Sequence, residues 1–169
     1  MLNSTLADVI RHCRIMDELV ASEERGTFTI TADGQLEGLT GEYLVGQWIQ
    51  VAESINNDAL YQISSIDAVS GVVTLSNGTD DSVATHGEEA FSGVARGLRM
   101  PLGFIGLVEE ILTFNESSGA PSPYTSESVL GVHSWSKGSK SSGAPVTWFD
   151  VFSDKLAPFR RLPIPAVKI

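Results

Sequence analysis

The 169-residue sequence predicts an α+β fold, in which a small helical core of three helices carries an inserted antiparallel β-sandwich or barrel module. Three observations predict it. Apolar residues recur at helical spacing near the start, the middle and the end of the chain. Residues 27–99 contain short β-branched and aromatic runs separated by Gly, Asn and Asp turns. Residues 121–145 are extended in character, which predicts a C-terminal β-arm.

These changes in pattern divide the chain into five segments. They are 1–26, the N-terminal helix of the core; 27–99, the inserted β-module; 100–120, the central helix; 121–145, the extended arm with a Gly/Ser link; and 146–169, the C-terminal helix with a docking tail.

The first helix is predicted from a capping pattern and an apolar stripe. Thr5 and Asp8 have the spacing of a capping box, and Gly26 is a suitable end. Residues that would share one helical face are Leu6, Val9, Ile10, Cys13, Met16 and Val20.

The β-module is predicted from short strands and the turns between them. Asp33-Gly34 is a hairpin signal after the run Thr27–Thr31. Further strands are expected at Trp48–Ala52, Tyr61–Ile66, Val72–Leu75 and Phe91–Leu98.

Two more helices follow. Pro101 suits the first turn of a helix that ends near Ser117. A second capping box at Thr147 and Asp150 begins a helix that reaches about Ala157. Apolar residues of these two helices are Ile105, Val108, Ile111 and Leu112, then Trp148, Phe152 and Leu156.

The arm, Tyr124 to Lys137, alternates apolar residues with Ser and Thr, which is typical of a β-ribbon. No partner strand lies within easy reach in sequence, so we expect it to pair with a distant part of the chain or with another chain. The residues expected to form this inter-subunit arm are Tyr124, Ser126, Val129, Val132 and Trp135.

Charge is divided unevenly along the chain. The net charge is −10, but residues 1–120 carry 5 basic and 18 acidic residues, whereas residues 121–169 carry 6 basic and 3 acidic residues. An acidic body disfavours nucleic-acid binding, and a basic tail favours docking on an acidic protein surface. A single cysteine, Cys13, excludes an intrachain disulfide and fits synthesis in a reducing cytoplasm. No leader or membrane segment is expected.

No catalytic or cofactor-binding motif is predicted. The histidines His12, His86 and His133 lack metal-ligand spacing, and Cys13 lies on an apolar stripe. No nucleophile elbow, phosphate loop or dinucleotide fingerprint is present, so we expect no enzyme activity and no cofactor. The paired acids are expected to be solvated charges: Asp80-Asp81, Glu88-Glu89 and Glu109-Glu110.

The last third of the chain resembles the C-terminal end of tailed-phage head–tail connector, or adaptor, proteins of siphophages. The resemblance is carried by SPYTSES-x-x-G-x-x-SxSK, a Gly/Ser run, and VTW-x-x-VF-x-x-KL-x-x-FRR, which correspond to residues 122–137 and 146–161. The shorter pattern W-I-x-V-x-x-S-x-N-N-D-x-x-Y-x-I, from Trp48, resembles a β-motif of phage neck and tail proteins.

The resemblance implies a structural virion protein of the neck, made in the host cytoplasm. It would form a ring, usually twelve-fold, beneath the portal protein, and DNA would pass through the lumen without specific binding. A downstream stopper or tail protein would be a further partner, and no membrane is involved. The tail residues expected to dock on the portal are Trp148, Phe152, Phe159, Arg160, Arg161 and Ile164.

Two alternatives stay open. In the first alternative, the protein is a head-closure (stopper) or tail-completion protein, because the simplest adaptors are mostly helical whereas this chain has a predicted β-module. The other alternative belongs to another class: residues 27–99 form a carbohydrate- or protein-binding module that decorates the virion, with Trp48, Tyr43 or Tyr61 as contacts.

Overall fold

A computed structural model describes residues 2–78, 86–117, 126–129, 133–136 and 147–160. The helices are α1 (Leu2–Cys13), α2 (Met16–Leu19), α3 (Phe104–Ser117), α4 (Trp148–Val151) and α5 (Ser153–Leu156), followed by a 3-10 turn at Ala157–Phe159. The strands are β1 (Val20–Ile30), β2 (Gln35–Glu37), β3 (Trp48–Ala52), β4 (Ala59–Ile66), β5 (Val73–Ser76), β6 (Glu89–Leu98), β7 (Ser126–Val129) and β8 (His133–Ser136).

Six strands form a closed antiparallel barrel in the order β1-β2-β5-β4-β3-β6, with β6 returning to β1. The period-two alternation of each strand fills its interior. In β3, for example, Ile49 and Val51 point inward while Trp48 packs outside. The interior residues are Phe28, Ile30, Leu36, Ile49, Val51, Tyr61, Ile63, Val73, Leu75, Phe91 and Ala95.

The helices pack on the outside of the barrel and form a second apolar cluster. The first four residues of the predicted stripe are buried where α1 meets α3 and β4: Leu6, Val9, Ile10 and Cys13. Met16 and Val20 lie beyond α1 and are only partly buried. Trp48, Leu60 and Leu98 are the barrel residues that join this cluster. The other buried members of this cluster lie in or next to the helices and are Leu2, Leu6, Val9, Ile10, Cys13, Ile15, Leu19, Phe104, Leu107, Val108, Ile111, Phe152 and Leu156.

The β-module prediction is confirmed as a barrel. Strand β3 has the predicted bounds, and β4, β5 and β6 begin or end within two residues of them. Gly34, in the predicted hairpin turn, has φ of +75°, a backbone conformation that glycine adopts without steric cost.

The N-terminal prediction is wrong beyond residue 13. The helix was expected to begin at Thr5 and run to Gly26, but α1 spans Leu2–Cys13 and Arg14 interrupts it at φ of +59°. After the single turn α2, residues from Val20 onward form β1, which pairs with β6 from Val20↔Leu98 to Ile30↔Glu89. A ladder of that length satisfies many backbone groups at once and outweighs the local helix propensity of this segment.

The sequence pattern predicts that the arm has no partner strand close by in the chain. This prediction is wrong. Strands β7 and β8 pair with each other as an antiparallel hairpin, from Ser126↔Ser136 to Val129↔His133, and form a sheet separate from the barrel.

The predicted C-terminal helix is divided into α4, α5 and the 3-10 turn. Its capping box is present, since the backbone N–H of Thr147 donates to Asp150 Oδ2 at 2.9 Å. Phe152 interrupts the helix with φ −101° and ψ 8°, and its side chain is buried against the body. Packing of this ring therefore takes precedence over a continuous helix.

Candidate interaction surfaces

The terminal turns, residues 147–160, are attached to α3 by aromatic and charged contacts. The Phe152 ring lies 5.8 Å from that of Phe114 in an edge-to-face arrangement, and the Phe159 ring lies 5.0 Å from that of Phe104. Leu156 is fully buried in the same cluster. Lys155 adds an exposed ion pair with Glu110 on α3. The chain that follows residue 160 therefore leaves from a defined position on the body.

A second group of contacts attaches the terminal turns to α1. The His12 ring stacks on Phe149 at 5.4 Å with planes 14° apart, and it meets Trp148 edge to face, also at 5.4 Å. Arg160 Nη2 lies 2.9 Å from His12 Nε2, and Arg160 Nη1 lies 3.4 Å from Ser153 Oγ. We call His12, Trp148, Phe149 and Arg160 the latch cluster.

The latch cluster constrains the protonation state of His12. A guanidinium has only donors, so Nε2 must be the unprotonated, accepting nitrogen. Burial of the ring, and then the Arg160 charge, lower the pKa of His12 below its usual 6.5. Arg160 Nε is buried with no hydrogen-bond partner among the described residues. The latch is thus most favourable when His12 is neutral.

A cavity of about 650 Å³ opens beside the latch cluster, between α2, the β6–α3 connection and the end of the terminal turns. Leu102 on its rim is fully exposed. The lining residues are Ile15, Glu18, Leu19, Arg99, Met100, Pro101, Leu102, Pro158, Phe159 and Arg160. Because Arg160 is a lining residue, the basic tail begins at the edge of this cavity.

One carboxylate holds residues 40–43 of the loop between β2 and β3, residues 38–47, in the barrel mouth. Glu24 on β1 accepts hydrogen bonds from the Thr40 backbone at 2.8 Å, the Thr40 hydroxyl at 2.5 Å, the Gly41 backbone at 3.1 Å and the Tyr43 hydroxyl at 3.3 Å. Burial alone would raise the pKa of Glu24, but these hydrogen bonds outweigh it and lower the pKa. The anchored loop presents Leu44 and Val45 to solvent, 72% and 63% exposed.

The loop between β3 and β4, residues 53–58, has a similar anchor. Glu89 accepts hydrogen bonds from the backbone N–H groups of Ile55 at 2.6 Å and Asn56 at 3.0 Å, which lower its pKa. The fully buried Asn57 donates from Nδ2 to Glu89 at 3.0 Å and accepts the His86 N–H at 2.8 Å. Glu89 is therefore a structural acceptor rather than the solvated charge that the sequence suggested.

No group of three or more His, Cys, Asp or Glu that could hold a metal occurs within the described ranges. Cys13 is buried, and burial raises the pKa of its thiol, as expected for a small core residue. Over the same ranges, no helix is long and apolar enough to cross a membrane.

The aromatic residues proposed as sugar contacts do not form an exposed platform. Trp48 is 3% exposed beneath the helices, and Tyr61 is fully buried inside the barrel, where its hydroxyl donates to the Asn57 carbonyl at 3.1 Å. Tyr43 packs in the barrel mouth, where burial and Glu24 raise its pKa to about 12. The carbohydrate alternative therefore loses the contacts on which it depended.

The structure brings four predicted tail residues together, since Trp148, Phe152, Phe159 and Arg160 all pack at one end of the helical cluster. The arm residues Ser126, Val129 and Trp135 lie in the β7–β8 hairpin. The predicted residues outside the described ranges are Tyr124, Val132, Arg161 and Ile164.

Sequence reasoning missed the part that His12 and Phe149 play in the latch cluster. His12 lies on the polar side of α1, 148 residues before Arg160, and no local pattern links the two. The signal in the sequence was an aromatic residue, Phe149, next to the apolar stripe of the terminal turns. In the structure this residue is partly exposed.

Comparisons of the sequence with protein-family models, with curated proteins and with solved structures find no match.

Proposed function

We propose that this chain is a structural protein of the tailed-phage neck, a head–tail adaptor that forms a ring beneath the portal and surrounds the DNA path. The observation that carries the proposal is where the residues of the resemblance lie. Trp148, Phe152 and Leu156 belong to the pattern that resembles phage adaptors, and they attach the terminal turns to the body. In this proposal α1, α3 and the terminal turns act as one helical core, and the β7–β8 hairpin is the arm.

The attached terminal turns suit a docking role for the residues beyond them. A tail that starts from a fixed residue loses less conformational freedom on binding than one that starts from a loose segment. The tail 161–169 carries Arg161 and Lys168 and no acidic residue, whereas residues 1–120 carry most of the negative charge. The tail therefore suits an acidic site on the portal, and the acidic body suits a channel wall that repels DNA.

The six-stranded barrel favours one alternative within the same class. Because the simplest adaptors are mostly helical, a closed barrel fits a head-closure (stopper) or tail-completion protein placed one ring further from the capsid. The anchored loops of the barrel carry Leu44, Val45 and Ile55 in exposed positions, which suits contacts with a neighbouring protein.

Truncation of the tail tests the proposal. Removal of residues 161–169 keeps Phe159 and Arg160, whose contacts with Phe104 and His12 hold the terminal turns in place. We expect the truncated chain to keep its thermal midpoint and to lose binding to purified portal, measured by size-exclusion chromatography with light scattering. The matched control is Arg161 and Lys168 changed to Gln, which should weaken binding mainly at low salt.

The possible results separate the alternatives. A full chain that forms a ring-sized complex with portal, and a truncated chain that does not, support the adaptor. Binding to a stopper or tail protein instead of portal moves the chain to the next ring. A full chain that binds no neck protein refutes the proposal.

A further inference from the structure

One side of strand β1 is an open edge. Strand β6 pairs with β1 along its whole length, but β2 pairs only with Thr29 and Ile30 at its end. Within the described residues, the stretch 20–28 therefore has a strand on one side alone. Residues 21–23 and 25–27 are also exposed, and the loop 38–47 reaches this strand at Thr27 and at the Glu24 side chain.

The hydrogen-bond pattern shows which backbone groups face the open edge. The Thr31 N–H donates to the Gln35 carbonyl at 2.9 Å, on the β2 side. Because backbone groups of successive strand residues alternate between the two sides, Thr27, Arg25 and Glu23 direct their N–H and C=O groups to that side too. The Gly38 backbone lies against the Thr27 carbonyl. In the described part of the chain, no backbone hydrogen bond reaches Arg25 or Glu23 from that side.

The hairpin β7–β8 has no third strand paired with it among the described residues. In the part of the chain that the structure describes, its two strands form a sheet of their own and pair only with each other. An isolated two-stranded hairpin is marginally stable in water and gains when a further strand pairs with it. Among the described residues the hairpin pairs with no barrel strand, so a second copy can supply a partner strand.

The connections to the hairpin are long enough for such pairing. Eight residues separate α3 from β7, and ten separate β8 from Thr147. An extended chain spans about 3.3–3.6 Å per residue, so each connection reaches roughly 30 Å. Charge also favours contact between copies, because residues 121–145, which contain the hairpin, carry Lys137 and Lys140 against Glu127, whereas residues 1–120 have a net charge of −13.

We propose that the open edge of β1, centred on Glu23 and Arg25, receives the β7–β8 hairpin of a neighbouring copy as an added strand pair. The inference rests on the proposed self-assembly and specifies its acceptor surface. Adhesion comes from backbone hydrogen bonds of the kind used in β-strand addition. Repeated from copy to copy, one edge and one arm form a head-to-tail contact, the type that closes into rings.

Thiol cross-linking between differently labelled copies tests this pairing. The only native thiol, Cys13, is buried and is replaced by Ser in every variant. One chain carries Arg25→Cys and the other carries Ser136→Cys. The pair is mixed at concentrations where the full chain assembles, and a short bismaleimide is added. The matched control replaces Arg25→Cys with Val69→Cys, a 97% exposed position on the loop between β4 and β5.

We expect the heterodimer to form roughly 10²-fold faster with Arg25→Cys than with Val69→Cys, since pairing raises the effective concentration of the two thiols. Replacing residues 121–145 by a Gly/Ser linker in the partner chain should abolish assembly without changing the thermal midpoint. Equal rates for both cysteines in an assembling protein overturn the acceptor edge and leave the proposed neck function standing.

Two further results overturn the inference. Rapid cross-linking within one chain that carries both Arg25→Cys and Ser136→Cys, at dilutions where it is monomeric, assigns the edge to the chain's own hairpin. A full chain that stays monomeric at every concentration, with or without portal, refutes both the acceptor edge and the ring.

Discussion

Replacement of Leu156 by alanine tests whether the terminal turns belong to the folded body. Leu156 is fully buried in the cluster formed by α1, α3 and the terminal turns. The substitution removes three buried carbons, worth roughly 2.4 kcal/mol at about 0.8 kcal/mol each. Incomplete collapse of the cavity raises the expected loss in the free energy of unfolding to about 3 kcal/mol.

The measurement is urea unfolding followed by tryptophan fluorescence, since Trp48 and Trp148 both contact this cluster. For a chain of this size, about 3 kcal/mol corresponds to a thermal midpoint lower by roughly 6–12 °C. The matched control is Val151→Ala, a 49% exposed position five residues earlier, with an expected change within about 0.5 kcal/mol. A Leu156→Ala variant as stable as the Val151→Ala control would refute the idea that the terminal turns are integral to the body.

Three further predictions concern the anchors and the latch cluster. Below pH 4.5 the wild-type protein should lose stability, because hydrogen bonds lower the pKa of Glu89 in the folded state. In urea titrations, Glu89→Gln should be less stable than the wild type at neutral pH, and its free energy of unfolding should fall less on acidification. As pH falls below 6.5, the free energy of unfolding should also decrease, since unfolding raises the pKa of His12 and is accompanied by uptake of a proton. If the free energy of unfolding of His12→Gln falls with pH as steeply as that of the wild type, this prediction is wrong. Gly38→Ala should lower the thermal midpoint more than Gly71→Ala; both have positive φ, but only at Gly38 would the new Cβ lie 2.5 Å from the Thr27 carbonyl oxygen.

The acid-sensitive contacts lie in two places with different consequences. Loss of the Glu24 and Glu89 anchors at low pH would release loops of the barrel, whereas protonation of His12 would weaken only the attachment of the terminal turns to α1. Limited proteolysis at stepped pH can separate these events, because cleavage near residues 38–58 reports the first and cleavage near residues 147–160 reports the second.

Local chemistry was sufficient for strands β3 to β6 of the barrel and for the long helix α3. Strand ends coincide with residues that favour turns, such as Asp33-Gly34 and Ser70-Gly71, and Gly71 has φ of +73°. The buried residues Phe104, Leu107, Val108 and Ile111 of α3 repeat at helical spacing that is visible in sequence. These features depend on neighbours within a few residues, so the pattern alone predicts them.

Long-range pairing decided the rest of the fold and the candidate surfaces. Residues 20–26 have a helix-like pattern, yet they form a strand because β6, about seventy residues later, pairs with them. Arg160 meets His12 across 148 residues of chain, and Phe152 interrupts its helix to reach Phe114. The sequence by itself determined where strands β3 to β6 and helix α3 form and that the tail is basic. Only the tertiary structure decided that residues 20–26 form a strand and which segments meet, because those choices depend on the hydrogen bonds and apolar area satisfied over the whole molecule.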